Sequence, residues 1–329
     1  MPEYGDLICP DCRHPLRSNV GGVVCEGCAR EFPFLADGLL SLVPSHQEKL
    51  KAEIMGWWSA NNMDLEWRRA RPEFEKGSWE YFRESDRRWF NWHRPFFHTT
   101  YPMLHKVLDC RALKGKKVLD LGCGVGAMFE QLSSLGADVT GLDLAPKHVY
   151  LTHQRARLFG LKGRVLHGDA EALPLESSSL DFVYSFGVIH HSPNTARSFE
   201  EIHRVLKSGG RFFVMVYNRH SYHYWNKIIK WGVFRGYFLR MNRAELANRT
   251  SDGVLKGGNP LSQHFSPKEL LEMTRQFTDV RVTFHGPENT VRSFPIKRFP
   301  IGKLFIPPRV ARWLMSRYGH LSIITGMKP

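Results

Sequence analysis

The chain has 329 residues, of which 42% are hydrophobic, and a formal net charge of +14 at pH 7. That length exceeds one small domain and is sufficient for a large α/β core with additional segments. No run reaches the ~18 apolar residues of a membrane-spanning helix, and Pro2, Glu3 and Asp6 interrupt any secretory signal. The composition predicts a cytoplasmic protein without a transmembrane segment.

The first predicted element is a metal site built from two C-x-x-C pairs that are separated by twelve residues. The pairs are Cys9 with Cys12 and Cys25 with Cys28. Each pair forms a tight turn that aims two thiolates at one point, so both turns together suit a tetrahedral Zn²⁺ ion. Four thiolates leave no ligand position open, and the metal is therefore expected to be structural. A redox pair, or a ribbon that has lost its metal, is the alternative.

The residues after these cysteines complete a small domain. Residues 31–42 resemble the tail of the Trm112-like zinc domains, which occur as separate methyltransferase activators or fused to the enzyme. About forty residues bury too little surface to fold without a metal or another cross-link. We therefore predict a Trm112-like zinc ribbon at residues 1–44, which packs on the rest of the chain or contacts a large substrate.

Residues 45–109 are rich in aromatic side chains, with arginines interleaved among them. The tryptophans are Trp57, Trp58, Trp67, Trp79, Trp89 and Trp92. Such a segment can form helices whose aromatic faces close the core. A helical lid over a substrate site is the second interpretation, and the sequence leaves both open.

The most informative stretch covers residues 117–143. An apolar run at residues 118–121 predicts a strand that is buried on both faces, and a glycine-rich loop follows at residues 122–126. A helix and a second strand that ends in Asp143 come next. Glycines let the backbone approach a ligand, and a carboxylate can accept both hydroxyls of a ribose. The stretch therefore predicts a nucleotide-type binding site.

The glycine spacing indicates which ligand the loop binds. The loop glycines are Gly122, Gly124 and Gly126. They form G-x-G-x-G with Asp120 two residues earlier, whereas a dinucleotide fold prefers G-x-G-x-x-G. Residues 118–126 resemble the first motif of the class I S-adenosylmethionine (SAM) methyltransferases. The resemblance implies that the loop and Asp120 contact the amino-acid part of SAM and that Asp143 holds its ribose. A Rossmann-like unit that binds NAD or no ligand is the alternative.

Three later segments resemble the same family in the same order. Residues 165–170 end a third strand at Asp169, which the resemblance places at the adenine amine. Residues 180–187 and 202–210 resemble the branch that contains the ubiquinone and menaquinone C-methyltransferases. The further cofactor contacts implied by the resemblance are Leu144, Ala170, Ser185, Phe186 and Gly187.

These segments predict a Rossmann-like, doubly wound α/β sheet of seven strands, which forms a methyltransferase domain over residues 110–329. Its strands lie near residues 117, 138, 164, 180 and 211, with two late strands at residues 280–285 and 320–326. Right-handed crossovers place helices on both faces and leave a ligand crevice at the carboxyl ends of the strands. The resemblance implies that the last strand is antiparallel and that residues 45–109 form a lid.

Two predicted insertions, at residues 219–262 and 287–317, carry most of the positive charge. Residues 219–249 and 287–317 each contain seven Lys or Arg against one acid. In the first insertion, aromatic and aliphatic residues alternate with basic ones, which is typical of an interfacial or anion-binding surface. Single-stranded RNA also suits this composition. A solvated cationic surface over an ordinary core is the third interpretation.

The predicted chemistry requires a proton acceptor near the methyl group. Methyl transfer from a sulfonium is an in-line displacement, so the protein must hold the nucleophile close, in line and away from water. His190 and His191 follow the fourth strand, and a histidine with its usual pKa is a suitable base. We predict His191 as the base, with His190 as the second candidate. The pair can instead shape the pocket, because Pro193 fixes a turn there.

Three functions fit these patterns. The first is a SAM-dependent methyltransferase that moves the methyl group to an O, N, C or S nucleophile of a small-molecule, natural-product or lipid-like acceptor. Such an enzyme would release S-adenosylhomocysteine (SAH) and could contact a membrane peripherally. The second is an rRNA or tRNA base methyltransferase, since large-subunit rRNA guanine methyltransferases also place a zinc finger before this fold. The third is a non-catalytic protein with the ribbon as a docking module, against which Asp120, Asp143 and Asp169 count.

Overall fold

The computed structural model describes residues 5–46, 48–61, 74–98, 105–252, 258–286 and 307–329. Its N-terminal part is a three-stranded antiparallel sheet of β1 (Leu16–Asn19), β2 (Gly22–Cys25) and β3 (Glu31–Pro33). Cys25 ends β2, and the other three cysteines lie in the turns and loops around this sheet. The predicted ribbon segment is therefore a compact β-structure in which Cys9 and Cys25 are buried.

The central element is a mixed sheet of nine strands. They are β4 (Leu40–Leu42), β5 (Lys117–Leu121), β6 (Asp138–Asp143), β7 (Arg164–Gly168), β8 (Leu180–Phe186), β9 (Leu206–Asn218), β10 (His264–Phe265), β11 (Thr278–His285) and β12 (Leu321–Met327). The spatial order is β11-β12-β9-β8-β5-β6-β7-β4, and β10 pairs with β9. Strand β12 is antiparallel to both of its neighbours, β9 and β11. The predicted doubly wound fold with seven main strands is confirmed, and β4 and β10 extend it.

The strand order reverses between β5 and β8, because the chain proceeds from β5 through β6 to β7 and then returns to β8 on the other side. At such a reversal the connections diverge, which leaves a crevice outside the carboxyl ends of the strands. The strands are apolar on both sides, and Leu119, Val139, Val183 and Val214 are fully buried. Helices therefore cover both faces, as a largely parallel sheet requires.

Nine helices are described. They are α1 (Lys49–Ala60), α2 (Trp79–Trp92), α3 (Ala127–Ser134), α4 (Pro146–Leu158), α5 (Thr195–Val205), α6 (Tyr222–Lys227), α7 (Arg243–Thr250), α8 (Pro267–Met273) and α9 (Pro308–Tyr318). Helix α3 begins directly after the glycine loop, and α4 begins three residues after the acid that ends β6. Among the described helices, none is both long enough and apolar enough to cross a bilayer.

The N-terminal segment packs tightly against the large domain. Strand β4 pairs in parallel with β7, so the tail of the ribbon forms one edge of the central sheet. Asp6 accepts two hydrogen bonds from the guanidinium of Arg164, at 2.6 and 2.5 Å, and Arg13 forms a 2.7 Å ion pair with the buried Glu201. Phe32 lies in the same apolar core cluster as residues of the central sheet.

A buried charge cluster fixes α2 beneath the glycine loop. The fully buried Arg155 of α4 donates to Glu130 of α3 at 2.7 Å, to the carbonyl of Val125 at 3.0 Å and to Asp86 of α2. Arg83 donates to the other oxygen of Glu130 at 2.8 Å. These bonds connect α2, α3 and α4, so the helical segment before the sheet is joined to the loop that we predicted to bind the cofactor.

The first insertion folds into a helical subdomain. Helix α6 continues into a π-helical turn (Ile228–Val233), and α7 packs against both. Tyr224, Ile228 and Leu246 form a small apolar core of their own. Of the second insertion, residues 287–306 lie outside the described part of the chain, and α9 forms most of the remainder.

Candidate functional site

A cavity of about 520 Å³ lies at the carboxyl ends of the central strands. Its floor contains the three predicted acids at or just after the ends of β5, β6 and β7, namely Asp120, Asp143 and Asp169. The cavity continues past the end of β8 to Tyr217 of β9 and to His320 beside β12. The cavity therefore has two halves. The acidic half lies beside β5, β6 and β7 and contains the three acids, and the second half lies beyond β8.

The glycine loop forms one wall of the acidic half. Gly122, Gly124 and Gly126 all have positive φ, at 80°, 57° and 82°, which disfavours other residues. A Cβ atom at Gly122 would lie only 2.1 Å from Val188 Cγ2, so this position also lacks space for a side chain. The loop can thus turn sharply around Asp120 and bring its backbone to the cavity.

Asp120 is a buried acid whose Oδ2 atom has no hydrogen-bond partner among the described residues. Burial, together with the nearby charge of Asp143, raises the pKa of Asp120 to about 7. An unpaired buried carboxyl group on a cavity wall is costly unless a ligand satisfies it. The ammonium group of an amino acid is a suitable partner.

Asp143 is held by its surroundings in the ionised state. It accepts hydrogen bonds from the backbone N–H groups of Gly124 and Ala145, both at 2.9 Å, and contacts His148 Nδ1 at 3.2 Å. Burial alone would raise the pKa of Asp143, but His148 and the two N–H groups hold it below its usual value. The charged acid therefore fixes the glycine loop to the end of β6 and also borders the cavity.

Asp169 is paired with a residue from the helical segment. Lys51 of α1 donates to Asp169 Oδ2 at 2.6 Å and forms a 2.7 Å ion pair with Glu171. Burial alone would lower the pKa of Lys51, but the two carboxylates raise it. The site predicted for an adenine amine is thus also the site at which α1 attaches to the sheet.

The other predicted cofactor contacts occupy different positions. Leu144, Ala170, Phe186 and Gly187 line the cavity. Ser185 does not line it, because this side chain is fully buried beneath the end of β8.

The two predicted histidines differ in their surroundings. His191 lines the cavity, with Nδ1 2.7 Å from the carbonyl oxygen of Leu261 and Nε2 3.8 Å from Asp252 Oδ2. His190 is fully buried, does not line the cavity and packs on the ring of Tyr217 at 4.0 Å. Burial lowers the pKa of His190 well below its usual value. Of the pair, only His191 faces the space where a ligand would lie.

Helices α1 and α2 both cover the cavity and pack on the core. Lys51, Ile54, Met55 and Trp58 follow the i, i+3, i+4, i+7 spacing of one helix face, and all four line the cavity. The ring of Trp58 lies 4.9 Å from that of His191. Trp89 of α2 lines the cavity and also packs against the apolar core, so the packing interpretation describes part of the segment and the lid stays a prediction. Trp67 and Tyr101 lie outside the described residues.

Several residues that line the cavity were not predicted as site residues. Lys51, Lys227 and Asp252 line the cavity, although each lies far along the chain from the motifs. Asp252 accepts hydrogen bonds from Tyr217 Oη at 2.5 Å and from Asn259 Nδ2 at 3.0 Å. The sequence did offer one indication that Asp252 has a role, because this acid closely follows the strongly basic residues 219–249.

The four N-terminal cysteines converge as predicted. The Sγ atoms of Cys9, Cys12, Cys25 and Cys28 all lie within 4.8 Å of one another, with pair distances of 3.8 Å (Cys9 to Cys28) and 3.3 Å (Cys12 to Cys25). These separations exceed a disulfide bond and suit four thiolates at ~2.3 Å from one Zn²⁺ ion. The N–H groups of Gly27 and Cys28 point at Cys25 Sγ, at 3.3 and 3.5 Å.

Comparison with known proteins agrees with this geometry. Residues 119–214 match the family model described as methyltransferase domain. The chain is 29% identical over 163 residues to the ubiquinone biosynthesis O-methyltransferase of Roseobacter denitrificans, covering 50% of this chain and 59% of that enzyme. It is 33% identical over 98 residues to the sterol 4-C-methyltransferase of Caenorhabditis elegans, covering 29% of each protein. The chain thus spans about three-fifths of one relative and under a third of the other.

A solved SAM-dependent methyltransferase from Methanosarcina mazei is similar at 21% identity and a TM-score of 0.47, covering 68% of this chain and 98% of that one. The matched family model and the strand order establish that the fold is that of class I methyltransferases, as predicted.

Proposed function

Because residues 119–214 match a methyltransferase domain, we propose that this protein is a SAM-dependent methyltransferase that acts on a small-molecule or lipid-like acceptor. The observation that carries the proposal is the position of Asp120, Asp143 and Asp169 along one wall of a single cavity. The acids occupy successive strand ends, which suits an elongated ligand with an ammonium group at one end and a nucleoside at the other.

The residues present fit SAM. The unpaired Oδ2 of Asp120 suits the ammonium group, the ionised Asp143 suits the ribose hydroxyls, and Asp169 suits the adenine amine. Leu144, Ala170, Phe186 and Gly187 supply the remaining contacts. When bound, SAM supplies an electrophilic methyl group on a sulfonium.

The second half of the cavity would hold the acceptor and receive its proton. The Leu261 carbonyl, 2.7 Å from His191 Nδ1, can only accept a hydrogen bond, whereas Asn259 Nδ2, 3.1 Å from the same nitrogen, donates to Asp252. We therefore place the histidine proton on Nδ1, which leaves Nε2 as the proton acceptor. The Asp252 carboxylate, 3.8 Å from Nε2, stabilises the resulting imidazolium. Trp58 covers His191 and keeps water from it. In this assignment His191 is the base, and His190 supports the ring of Tyr217.

The four N-terminal thiolates are proposed to bind structural Zn²⁺. The N–H groups directed at Cys25 Sγ stabilise a thiolate, and four Sγ atoms leave no coordination position for water. The ribbon would then act as a folded support that holds β4 and Arg13 against the large domain.

A lipid-like acceptor is favoured over RNA by the exposed surface of the first insertion. Phe234 and Leu239 are 81% and 90% exposed, and Ile229 and Val233 are exposed beside them. Lys230 and Arg235 lie near the ring of Trp231 on the same surface. Bulky apolar groups among cations are typical of a surface that contacts an anionic membrane.

The proposal is tested by titrating the purified protein with SAH and by incubating it with labelled SAM and separate polar, lipid and RNA fractions of a cell extract. We expect SAH binding near micromolar and label in the lipid or small-molecule fraction. Absence of SAH and SAM binding would overturn the proposal. Binding without transfer to any fraction would favour the non-catalytic alternative, and label in RNA would favour the RNA alternative.

The membrane contact is tested with vesicles that contain 30% anionic lipid, using sedimentation. The double variant Phe234→Ser/Leu239→Ser should bind vesicles more weakly, because it removes exposed apolar area. The matched control Leu158→Ser changes an exposed leucine on α4 and should leave binding unchanged. Equal vesicle binding by both variants would contradict a membrane-contacting insertion.

A further inference from the structure

The cavity half beyond β8 has an unusual set of side chains. His223 and Lys227 come from α6, His264 from β10, and His320 from the residue before β12. The rings of His223 and His320 lie 5.1 Å apart, and His264 lies 4.7 Å from the ring of Tyr224. Groups that can donate hydrogen bonds or carry positive charge therefore line this space from three separate parts of the chain.

In this part of the cavity there is a shortage of negative charge in direct contact with Lys227. Among the described residues that line it, Asp252 is the one carboxylate, and its oxygens already accept from Tyr217 and Asn259. Lys227 forms no ion pair with a described carboxylate and donates instead to the backbone carbonyl of Thr250. A buried ammonium held mainly by a neutral carbonyl is only partly compensated.

The titration behaviour of these groups agrees with that shortage. Burial lowers the pKa of Lys227 to about 8, although Asp252 opposes the shift. Burial, and then the charge of Lys227, lower the pKa values of His223 and His264 to about 3. An added anion would favour the protonated form of each group, so the space is electrostatically suited to negative charge.

A metal ion is a poorer occupant of this space. Among the described residues, the four N-terminal cysteines are the one group whose ligand atoms converge closely enough to hold an ion. The ring nitrogens of the histidines that line the space do not converge in this way, which suits a polyatomic ligand better than a single cation.

We propose that Lys227, His223 and His264 bind an oxyanion of the methyl acceptor, such as a phosphate or carboxylate group, opposite the SAM half of the cavity. This inference rests on the proposed function and identifies the acceptor as an acidic molecule. Lys227 supplies the charge, and the histidines supply directional hydrogen bonds. The rings of His264 and His191 lie 5.3 and 6.1 Å from the ring of the same Tyr217, so a bound anion would orient the nucleophile towards the proposed base.

The experiment measures binding of inorganic phosphate, and separately of acetate, to the zinc-loaded full chain with saturating SAH at constant ionic strength. We expect saturable binding of at least one anion. Lys227→Met should weaken it about ten- to a hundredfold, the effect of losing a hydrogen bond to a charged group. His223→Gln should weaken it less. The matched control Lys268→Met alters an exposed lysine of α8 outside the cavity and should leave anion binding unchanged.

Two further measurements keep the outcomes distinct. Thermal melting of each variant shows whether it is folded. If Lys227→Met does not fold, anion binding by His223→Gln provides the test. Failure of SAH to bind would remove the proposed function, whereas normal SAH binding with equal anion affinity in the wild type and both folded variants would overturn only the anion site. Competition by glycerol 3-phosphate or by phosphatidic acid vesicles then distinguishes a water-soluble acceptor from a lipid headgroup.

Discussion

At the scale of single residues, the acids of the cavity differ in protonation although they lie close together. Asp143 is stabilised in its charged form by two backbone N–H groups and His148. Asp120 has no such partners for its Oδ2 and is affected by the charge of Asp143. One acid is therefore ionised at any ordinary pH, whereas the other changes its protonation near neutrality and should respond to a bound ligand.

SAH binding should consequently depend on pH through Asp120. Its folded pKa of about 7 exceeds its usual value, so the carboxyl group is protonated at pH 6 and releases its proton as the pH rises through 7. An ammonium ligand favours the carboxylate. Binding at pH 6 should therefore release a proton, and affinity should be up to about tenfold lower at pH 6 than at pH 7.5. Calorimetry in buffers of different ionisation enthalpy measures both effects.

The variant Asp120→Asn is the control for this prediction. It should bind SAH more weakly and without proton release, because the amide neither titrates nor carries charge. A wild-type protein whose SAH affinity is constant from pH 6 to 7.5 would show that Asp120 does not contact the ammonium group.

Asp143 should contribute to ligand affinity as well as to the stability of the glycine loop that it holds. Asp143→Ala removes the group proposed to accept the ribose hydroxyls and should raise the SAH dissociation constant by about ten- to a hundredfold. Asp138→Ala, at the exposed opposite end of the same strand, is the matched control and should bind normally. Calorimetric titration with parallel thermal melts separates affinity from stability. Unchanged affinity in Asp143→Ala would place the ribose elsewhere.

At the scale of secondary-structure elements, the charge cluster around Arg155 connects three helices. Arg155→Met should lower the free energy of unfolding by about 3–5 kcal/mol, because Asp86 and Glu130 would remain buried without their main cation. The control is Arg157→Met, on the exposed side of the same helix, for which a change within about 0.5 kcal/mol is expected. Urea denaturation followed by circular dichroism provides the comparison. Similar losses of unfolding free energy in both variants would mean that the buried cluster contributes no more to stability than an exposed arginine does.

How much of these elements can be predicted depends on whether the determining contacts are local in sequence. The seven main strands, the glycine loop and the cysteine pairs follow short patterns such as Asp120 with Gly122 and Gly124, so they were predictable. The Lys51–Asp169 pair joins residues 118 positions apart, and no pattern near either residue indicates the other. Similarly, Leu40–Leu42 is too short to predict as a strand of the central sheet, because its partner β7 follows more than a hundred residues later.

The choice between His190 and His191 as the proposed base shows the same limit of prediction from local sequence. His190 and His191 are neighbours in sequence, and residue type alone does not separate them. The backbone turn after β8 buries one ring and directs the other into the cavity. Asp252 and the Leu261 carbonyl, which lie beside His191, come from the first insertion, whose helices have a small core of their own.

At the scale of the whole molecule, the N-terminal segment with the four cysteines packs on the central sheet rather than forming a separate unit, through β4 and Arg13. Cys25→Ser should reduce zinc content and lower the melting temperature, because the metal-binding free energy is also folding free energy for this segment. Ser18→Ala, in the same small sheet but away from the thiolates, is the control. Zinc analysis by mass spectrometry alongside thermal melts tests the prediction. A Cys25→Ser protein with a full complement of zinc would refute a site of four thiolates.

The parallel pairing of β4 with β7 also has a consequence for synthesis of the chain. Ser41 and its partner His167 are 126 positions apart, so the edge strand leaves the ribosome long before the strand that receives it. At the usual rate of translation this delay lasts on the order of ten seconds. Early capture of a metal by the nascent cysteines would keep the first forty residues ordered during that wait. Cells starved of zinc during growth should then accumulate insoluble newly made chains, while protein completed earlier stays intact.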